Sequence, residues 1–293
     1  MVKINYGMPY KGSKSKIASQ IIDILPEAEY FVDLFGGGGA ITHYAAMCFK
    51  YQKVIYNELE PLIYKAFDMA IHGKFKDEKR WISREDFFRL KDADPYAAIC
   101  FSFGNDLKTY CYAKEIEPWK KAVHYARRLH DYSELEKMGI KSDGSRRDID
   151  KHKDEYRQKY LDWLGKNVVL PDEFERLQNE ERLQNLERLQ RLQRLQNLSY
   201  EQVDIPKDSV IYCDIPYKST NTYISSFDYD AFYEWALNQE QNVFISEYSM
   251  PDDFYLVAEI DRTSLLSPNS RETMKERLYC NHKYETHKQL SLF

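Results

Sequence analysis

Two predicted strands with chemically distinctive ends constrain the fold of this chain more than any other feature. Residues 210–213 are apolar, β-branched or aromatic, as in a buried strand, and lead directly into Asp-Ile-Pro-Tyr at positions 214–217. A second strand at residues 30–32 leads into Asp33 and, soon after, into consecutive glycines. In an open α/β sheet, such strand ends lie side by side where the strand order reverses. They predict a nucleotide-like cofactor site beside a site that handles a base.

Alternating helix and strand patterns surround both strand ends and indicate an α/β fold. A turn with glycines and lysines at residues 7–16 opens an amphipathic helix that stops at Pro26. Residues 97–101 fit either a short strand or a buried helix. Further helices are predicted at residues 40–50, 61–71 and 227–238, and further strands at residues 53–56, 242–246, 256–260 and 277–281.

The alternation is lost between residues 106 and 206, where the sequence is polar and mostly helical in pattern. This stretch ends in a Leu-Gln repeat at residues 176–198, in which leucines recur every three residues from Leu183 to Leu198. Each three-residue step in an α-helix leaves the leucine stripe about 60° behind, so the leucines spread around the helix. The repeat is therefore not a coiled-coil heptad. A packed connector and a repeat-variable element that changes reach or specificity both fit the pattern.

Length and composition suit one large α/β domain with a smaller second unit. The chain has 293 residues, of which 43% are hydrophobic, and no apolar run is long enough for a membrane-spanning helix. The first residues lack the apolar core of a signal peptide, and the cysteines are scattered without a Cys-x-x-Cys pair. We therefore expect a reduced cytoplasmic protein without disulfides. The histidines form no ligand pattern, so we expect no metal site.

The distribution of charge is more informative than the net charge of −5, which argues weakly against a protein that coats nucleic acid. Residues 120–166 contain more Lys and Arg than Asp and Glu. This basic segment is compatible with a DNA contact made by one part of the protein, although a solvated helical face has the same composition. The candidates for phosphate contacts are Lys120, Lys121, Arg127, Arg128, Arg146 and Arg147.

Several motifs in one order resemble the D12 class of adenine-N6 DNA methyltransferases, the Dam-like α-type group. They are GMPYKGSK, FVDLFGGGG, YNE and, after a long variable stretch, the Asp-x-Pro-Tyr strand end. The glycine loop alone is a weak signal, but the ordered combination is specific and covers residues 6–105 and 207–283. The resemblance implies a Rossmann-like, mostly parallel seven-stranded sheet flanked by helices. It assigns residues 1–105 and 207–293 to the catalytic domain and residues 106–206 to a mostly helical target-recognition insert.

The same resemblance implies the cofactor, S-adenosylmethionine, and the residues that bind it. A lysine of the first turn is expected to meet the methionyl carboxylate, and an acid is expected to hold the ribose hydroxyls. Glycine suits the loop between them because it has no side chain and adopts positive φ readily. In chain order, the implied cofactor residues are Tyr10, Lys11, Lys14, Asp33, Phe35, Gly36, Gly38, Glu58 and Asp214.

The Asp-x-Pro-Tyr strand end matches the family's catalytic Asp-Pro-Pro-Tyr except at Ile215. By resemblance, a flipped-out adenine donates hydrogen bonds from N6 to the Asp214 carboxylate and the Ile215 carbonyl, and Tyr217 stacks on the base. Pro216 completes the motif, and Asn105 is a candidate DNA contact. Isoleucine supplies the carbonyl but lacks the locked φ of proline. We therefore expect reduced rather than abolished activity, and higher turnover when proline is restored.

These observations predict a site-specific methyltransferase that acts on N6 of adenine in double-stranded DNA, either as an orphan or with a partner restriction endonuclease. A methyltransferase for RNA is one alternative, and a small-molecule substrate fits less well because it needs no large polar insert. A catalytically impaired DNA-binding or cofactor-binding homologue is another alternative, motivated by Ile215 and the acidic net charge.

Overall fold

The computed structural model describes residues 5–141, 146–165, 175–184, 186, 189, 191–217, 227–263 and 273–284. The chain divides into two compact units. The sheet unit comprises residues 1–8, 12–72 and 187–293, and the helical unit comprises residues 9–11 and 73–186. The predicted division into a catalytic domain and a target-recognition insert concerns function and stays a prediction.

A seven-stranded sheet forms the centre of the sheet unit. Its strands are β1 (Ala28–Asp33), β2 (Tyr51–Asn57), β3 (Leu192–Gln196), β4 (Ser209–Cys213), β5 (Asn242–Ser246), β6 (Tyr255–Thr263) and β7 (Thr273–Cys280). They lie in the order β3-β2-β1-β4-β5-β7-β6. Neighbouring strands are parallel except at β7, which runs antiparallel to both β5 and β6. This architecture confirms the predicted Rossmann-like seven-stranded sheet.

The two strand ends that stand out in the sequence are neighbours in the sheet. β1 and β4 pair in parallel, with Asp33 opposite Tyr212, and the strand order reverses between them. β4 is buried along its whole length, as expected for a central parallel strand that is covered on both faces. Asp33 and Asp214 therefore lie at the same edge of the sheet, where α/β folds bind their ligands.

Local sequence signals set the starts of several helices. Pro61 occupies the first position of its helix, and the Asp228 carboxylate caps another by accepting a 3.0 Å hydrogen bond from the N–H of Ala231. In the described part of the chain the α-helices are α1 (Ala18–Ile24), α2 (Ala40–Met47), α3 (Pro61–Ile71), α4 (Arg84–Leu90), α5 (Pro95–Cys100), α6 (Glu117–His124), α7 (Ser133–Lys137), α8 (Arg146–Leu164), α9 (Glu175–Gln184) and α10 (Tyr229–Leu237).

The ambiguous run at residues 97–101 forms most of helix α5 rather than a strand. The Asp94 carboxylate accepts hydrogen bonds from the N–H groups of Tyr96 (3.0 Å) and Ala97 (3.3 Å). Pro95 occupies the first turn, and an N-cap followed by proline starts a helix. Every residue of α5 is buried, so burial among other helices accounts for the apolar run.

The Leu-Gln repeat contributes to both units and is not a uniform connector. Its first part lies in α9 of the helical unit, whereas residues 192–196 form β3, which pairs in parallel with β2 at the edge of the sheet. This strand was not predicted because leucines spaced by three fall on alternate faces of a strand and show no period of two. Leu192 and Leu195 are both half-buried, as an edge strand allows.

Three further features concern the described ranges as a whole. No helix there combines the length and the apolar character needed to cross a bilayer. Within the same ranges, no group of three or more His, Cys, Asp or Glu side chains is arranged to hold a metal ion. The cysteines are free thiols at positions 48, 100, 111, 213 and 280.

Candidate active site

The end of β4 is fixed by burial and by a hydrogen bond. Asp214 follows the buried strand, and 24% of its side chain is exposed, which leaves the carboxylate accessible. Ile215 is buried in the apolar core cluster that also contains Leu34. The Tyr229 hydroxyl donates a 2.9 Å hydrogen bond to the carbonyl of Pro216. Packing and this bond therefore hold the backbone where the family motif has a proline ring.

Lys14 contacts the predicted catalytic carboxylate. Its buried ammonium lies 2.7 Å from Asp214 Oδ1 and 3.5 Å from Glu276 Oε1. A buried ammonium requires such partners because an unpaired charge inside a protein is costly. The resemblance assigned Lys14 to the methionyl carboxylate of the cofactor, and the structure places its ammonium between two acidic side chains of the protein.

Glu276 is a residue of this site that was not predicted from the sequence. It is 3% exposed and accepts a hydrogen bond from the Tyr217 hydroxyl. The ring of Tyr217 packs edge-on against Tyr248, with 4.7 Å between ring centroids, and its centroid lies 4.8 Å from the Lys14 ammonium. Burial, with the charges of Asp214 and Glu276, raises the pKa of Tyr217. The phenol therefore stays protonated and donates to the carboxylate.

A pattern in β7 signals Glu276 in retrospect. Side chains alternate between the faces of a strand, and Glu276 shares a face with Leu278 and Cys280, which are both buried. A carboxylate at an inward-facing position is unusual because its burial requires partners. These partners come from residues 14 and 217, so the periodicity of β7 alone does not identify them.

Asp33 has one carboxylate oxygen that is suited to a ligand. The side chain is 1% exposed, and the Thr42 hydroxyl donates a 2.6 Å hydrogen bond to Oδ2. Oδ1 is buried without a hydrogen-bond partner among the described residues. Burial raises the pKa of Asp33 to about 7, assisted by the charges of Asp214 and Glu58 and opposed by the Thr42 bond. A buried acceptor of this kind fits a cationic donor group such as an amine.

The glycine loop combines left-handed backbone with close packing. Gly37 and Gly39 have φ values of 49° and 70°, which favour glycine. A Cβ atom at Gly36 would lie 2.2 Å from the ring of Tyr56, and one at Gly39 would lie 2.2 Å from the ring of Phe67. Gly36 and Gly39 must therefore lack a side chain to leave room for aromatic rings of the protein itself, whether or not a ligand also approaches the loop.

Glu58 is held against this loop by backbone hydrogen bonds. Its Oε2 accepts a 2.7 Å bond from the N–H of Gly37, and its Oε1 accepts a 2.8 Å bond from the N–H of Glu60. Burial raises the pKa of Glu58, although both N–H groups oppose the shift. The Glu58 carboxylate is therefore oriented before any ligand arrives. In the same loop, the carbonyl of Gly38 accepts a 2.7 Å hydrogen bond from the N–H of Met8.

The other predicted cofactor residues occupy different places. Phe35 packs against Tyr200 and Phe232, with ring centroids 5.7 and 5.6 Å away, so its ring belongs to the core. Tyr10 and Lys11 group with the helical unit rather than with the sheet unit. Their assignment to the cofactor stays a prediction.

Two of the predicted phosphate contacts are internal side chains. Lys120 is 3% exposed, and its ammonium lies 5.8 Å from the ring centroid of Tyr112. Arg128 has 11% of its side chain exposed, and its Nε lies 3.0 Å from Glu180. Lys120 and Arg128 are therefore less accessible to a phosphate than exposed cations are, and their contact with DNA stays a prediction. A basic run on a helix does not reveal which residues face inward, so both residues were predicted as phosphate contacts from their charge.

The remaining basic candidates are less buried or lie outside the described side chains. Lys121 has 37% of its side chain exposed, and its ammonium lies 3.8 Å from Glu134. Arg127 is half-buried in a π-helical turn that continues α6. Arg146 and Arg147 begin α8, but their side chains are outside the described residues. The contacts of Lys121, Arg127, Arg146 and Arg147 with phosphate stay predictions.

Asn105 lies in a loop with an unusual backbone. Gly104, Asn105 and Leu107 have positive φ values of 57°, 56° and 61°. The Asn105 Nδ2 donates a 2.9 Å hydrogen bond to the carbonyl of Ile99, so the amide supports the loop. The neighbouring Phe103 is 67% exposed, so this loop presents an aromatic ring to solvent.

Comparison with known protein families agrees with the observed fold. Residues 10–249 match the family model of the D12 class N6 adenine-specific DNA methyltransferases, which confirms the resemblance seen in the motifs. No curated protein matches the chain. The match covers most of the sequence, including Asp33, Asp214 and residues 73–186 of the helical unit. The chain therefore belongs to the D12 class of N6 adenine-specific DNA methyltransferases.

Proposed function

We propose that this methyltransferase moves the methyl group of S-adenosylmethionine to N6 of an adenine that is flipped out of double-stranded DNA. The observation that carries the proposal is the pairing of β1 with β4, which sets Asp33 and Asp214 at one edge of the sheet. Asp33 offers a buried acceptor to a cationic cofactor, and Asp214 offers an accessible carboxylate to an amino group. Together they account for both reactants of the transfer.

Features of the sheet unit fit the proposed cofactor. Asp33 Oδ1 is an acceptor for the α-amino group, and Glu58, held by the N–H groups of Gly37 and Glu60, is oriented to accept ribose hydroxyls. The left-handed backbone at Gly37 and Gly39 shapes the loop between them. When bound, S-adenosylmethionine supplies a methyl group on a sulfonium, which makes the methyl carbon electrophilic.

The strand end at positions 214–217 supplies the chemistry at the base. Adenine N6 is a poor nucleophile because its lone pair is delocalised into the ring. Hydrogen bonds from N6 to the Asp214 carboxylate and the Ile215 carbonyl favour a nitrogen whose lone pair points out of the ring plane. The transfer then depends on position and electrostatics, and the proton released from N6 passes to the Asp214 carboxylate. Tyr217 stacks on the base and offsets about 1–3 kcal/mol of the unstacking cost.

The packing of Ile215 favours an active enzyme over an impaired homologue. The residue is 2% exposed in the core, so its carbonyl is positioned without the ring of proline. The Tyr229 bond to the carbonyl of Pro216 restrains the next peptide. Position 215 thus retains the feature that the reaction uses, an oriented backbone acceptor.

We infer that the helical unit, which contains most of the predicted insert at residues 106–206, contacts the DNA. It carries an open pocket lined in part by Trp81, Lys114 and Lys121. The exposed ring of Phe103 lies in the same unit. Ammonium groups suit phosphates, and exposed aromatic rings suit unstacked bases.

Transfer of labelled methyl from S-adenosylmethionine to genomic DNA that lacks adenine methylation tests the proposal. We expect label in N6-methyladenine after nucleoside analysis, and none with the Asp214→Ala variant. A parallel reaction with total RNA separates the alternatives. Label confined to RNA would reassign the substrate, and no label despite calorimetric cofactor binding would indicate the impaired homologue.

A further inference from the structure

The antiparallel strand β7 brings a carboxylate to the edge of the sheet where Asp214 lies. β7 pairs with β5 so that Leu278 is opposite Ser246, the last residue of β5. Because the two strands run in opposite directions, the part of β7 that precedes Leu278 extends beyond the carboxyl end of β5. Glu276 lies in that part, and both Glu276 and Asp214 contact Lys14.

Glu276 connects two side chains that surround Asp214. Its Oε1 accepts the hydrogen bond from the Tyr217 hydroxyl and lies 3.5 Å from the Lys14 ammonium. The same ammonium lies 2.7 Å from Asp214 Oδ1 and 4.8 Å from the centroid of the Tyr217 ring. Lys14, Asp214, Tyr217 and Glu276 thus form one contiguous group, here called the tip cluster.

A purely structural role explains Glu276 poorly. A carboxylate that is 3% exposed carries a desolvation cost, and apolar replacements of buried ion pairs are often neutral or stabilising. One ammonium here faces two carboxylates, so the three groups in ionised form carry a net negative charge. Such a group of carboxylates suits the approach of a partner that brings hydrogen-bond donors, such as the amino group of adenine.

We propose that Glu276 is a positioning residue for methyl transfer, an inference that rests on the function proposed above. Through the phenol, Glu276 fixes the orientation in which the Tyr217 ring meets the base. Through Lys14, it offers the ammonium a second carboxylate, so Asp214 can accept hydrogen bonds from N6 without leaving a buried cation unpaired. Glu276 acts through these side chains and does not touch the reacting atoms.

Steady-state methyl transfer to genomic DNA lacking adenine methylation tests this role. We expect Glu276→Ala to lower kcat about 10- to 100-fold with a smaller change in KM for DNA, because misplacement acts on the bound complex. Glu276→Gln keeps an acceptor for the Tyr217 hydroxyl and should recover part of the lost rate. Glu240→Gln, at an exposed position between α10 and β5, serves as the matched control and should behave as wild type.

A double-mutant cycle separates positioning from general damage. Tyr217→Phe keeps the ring but removes the hydroxyl that Glu276 holds. Glu276→Ala should therefore lower kcat by a smaller factor in the Tyr217→Phe background than in wild type. Thermal unfolding of the four cofactor-free proteins gives a readout that is independent of activity, and the two substitutions should be non-additive in Tm.

The possible outcomes distinguish this inference from the proposed function. A wild-type protein that methylates no adenine would overturn the proposed function and the role of Glu276 with it. An active wild type whose kcat is unchanged by a folded Glu276→Ala variant would overturn the role of Glu276 alone. Additive effects in the cycle would do the same. If the alanine variant does not fold, an unchanged kcat in Glu276→Gln contradicts the proposal.

Discussion

Two groups of buried charged side chains in this molecule use the same kinds of contact in different surroundings. In the tip cluster, Glu276 contacts an ammonium and a phenol. In the helical unit, Glu180 accepts a 2.8 Å hydrogen bond from the Tyr96 hydroxyl and lies 3.0 Å from Arg128 Nε. His124 Nδ1 lies 3.8 Å from the same carboxylate. The four residues of the helical unit are here called the interior cluster.

Accessibility separates the two clusters. The side chains of Glu180 and His124 are fully buried, whereas that of Asp214 is 24% exposed. Glu180 lies on α9 within the Leu-Gln repeat, and its bond to Tyr96 ties this helix to α5. The tip cluster lies at the carboxyl ends of parallel strands, where α/β folds bind ligands. A cluster of buried charges is therefore suited to catalysis when one of its acceptors, like Asp214, remains accessible. A cluster without an accessible acceptor, like that around Glu180, is suited to holding helices together.

Removal of the Asp214 carboxylate should have the largest effect on catalysis. We expect Asp214→Ala to lower kcat about a thousandfold or more, because an electrostatic contact to the reacting nitrogen is lost. Affinity for S-adenosylhomocysteine, measured by calorimetry, should change only a few fold. Asp253→Ala, an exposed position in a turn, is the matched control. If Asp214→Ala turns over close to the wild-type rate, the tip cluster, like the interior cluster, supports the structure and does not take part in catalysis.

Removal of the Glu180 carboxylate should have the largest effect on stability. Glu180→Ala leaves the buried guanidinium of Arg128 without this partner, and we expect a loss of about 3–5 kcal/mol in the free energy of unfolding. Urea titration measures the loss. Asp154→Ala, with a side chain that is 80% exposed on α8, should change stability by less than about 0.5 kcal/mol. Equal losses in the two variants would show that the interior cluster does not support the helical unit.

The affinity for cofactor should depend on pH through Asp33. Its pKa is raised to about 7, and a bound amino group favours the ionised carboxylate, so binding below pH 7 requires release of a proton. The affinity for S-adenosylhomocysteine should therefore rise up to about tenfold per pH unit towards pH 7 and then level off. Calorimetry at several pH values measures the profile. Asp33→Asn should flatten it, and an unchanged profile in that variant would argue against the amine contact.

Restoring proline at position 215 should have the smallest effect. The side chain of Ile215 is 2% exposed in the core, and proline is smaller, so we expect a loss of about 1 kcal/mol in stability. Because packing already orients the carbonyl, turnover should change by less than about tenfold, in contrast to the gain expected from the motif alone. Thermal unfolding and kcat measure both effects. A large increase in turnover would show that packing does not replace the proline ring.

The sequence was sufficient wherever neighbouring residues decide the outcome. Two strands, at residues 210–213 and 30–32, were recognised from their apolar residues alone. The site residues Asp214 and Asp33 come directly after these strands in the chain, so their positions could be predicted as well. Helix α3 was predicted with both ends correct, because proline at its start and burial of one face are local properties. The order of these motifs was enough to predict the sheet and the family.

The sequence was insufficient wherever the partner comes from a distant segment. Glu276 joins the tip cluster through Lys14 and Tyr217, and neither contact leaves a trace in the pattern of β7 apart from one acid on a buried face. β3 emerges from a repeat whose period matches no strand. The burial of Lys120 depends on packing inside the helical unit, which a count of charges does not detect.

The most direct test of the contrast between the two clusters is the single-turnover rate of methyl transfer by Asp214→Asn and Glu180→Gln, measured side by side at a temperature where both are folded. Each variant removes a negative charge with little change in size. We predict that Asp214→Asn loses at least about 100-fold in rate, whereas Glu180→Gln stays within a few fold of wild type. Equal losses in both variants, or a wild-type rate in Asp214→Asn, would contradict the assignment of chemistry to the tip cluster.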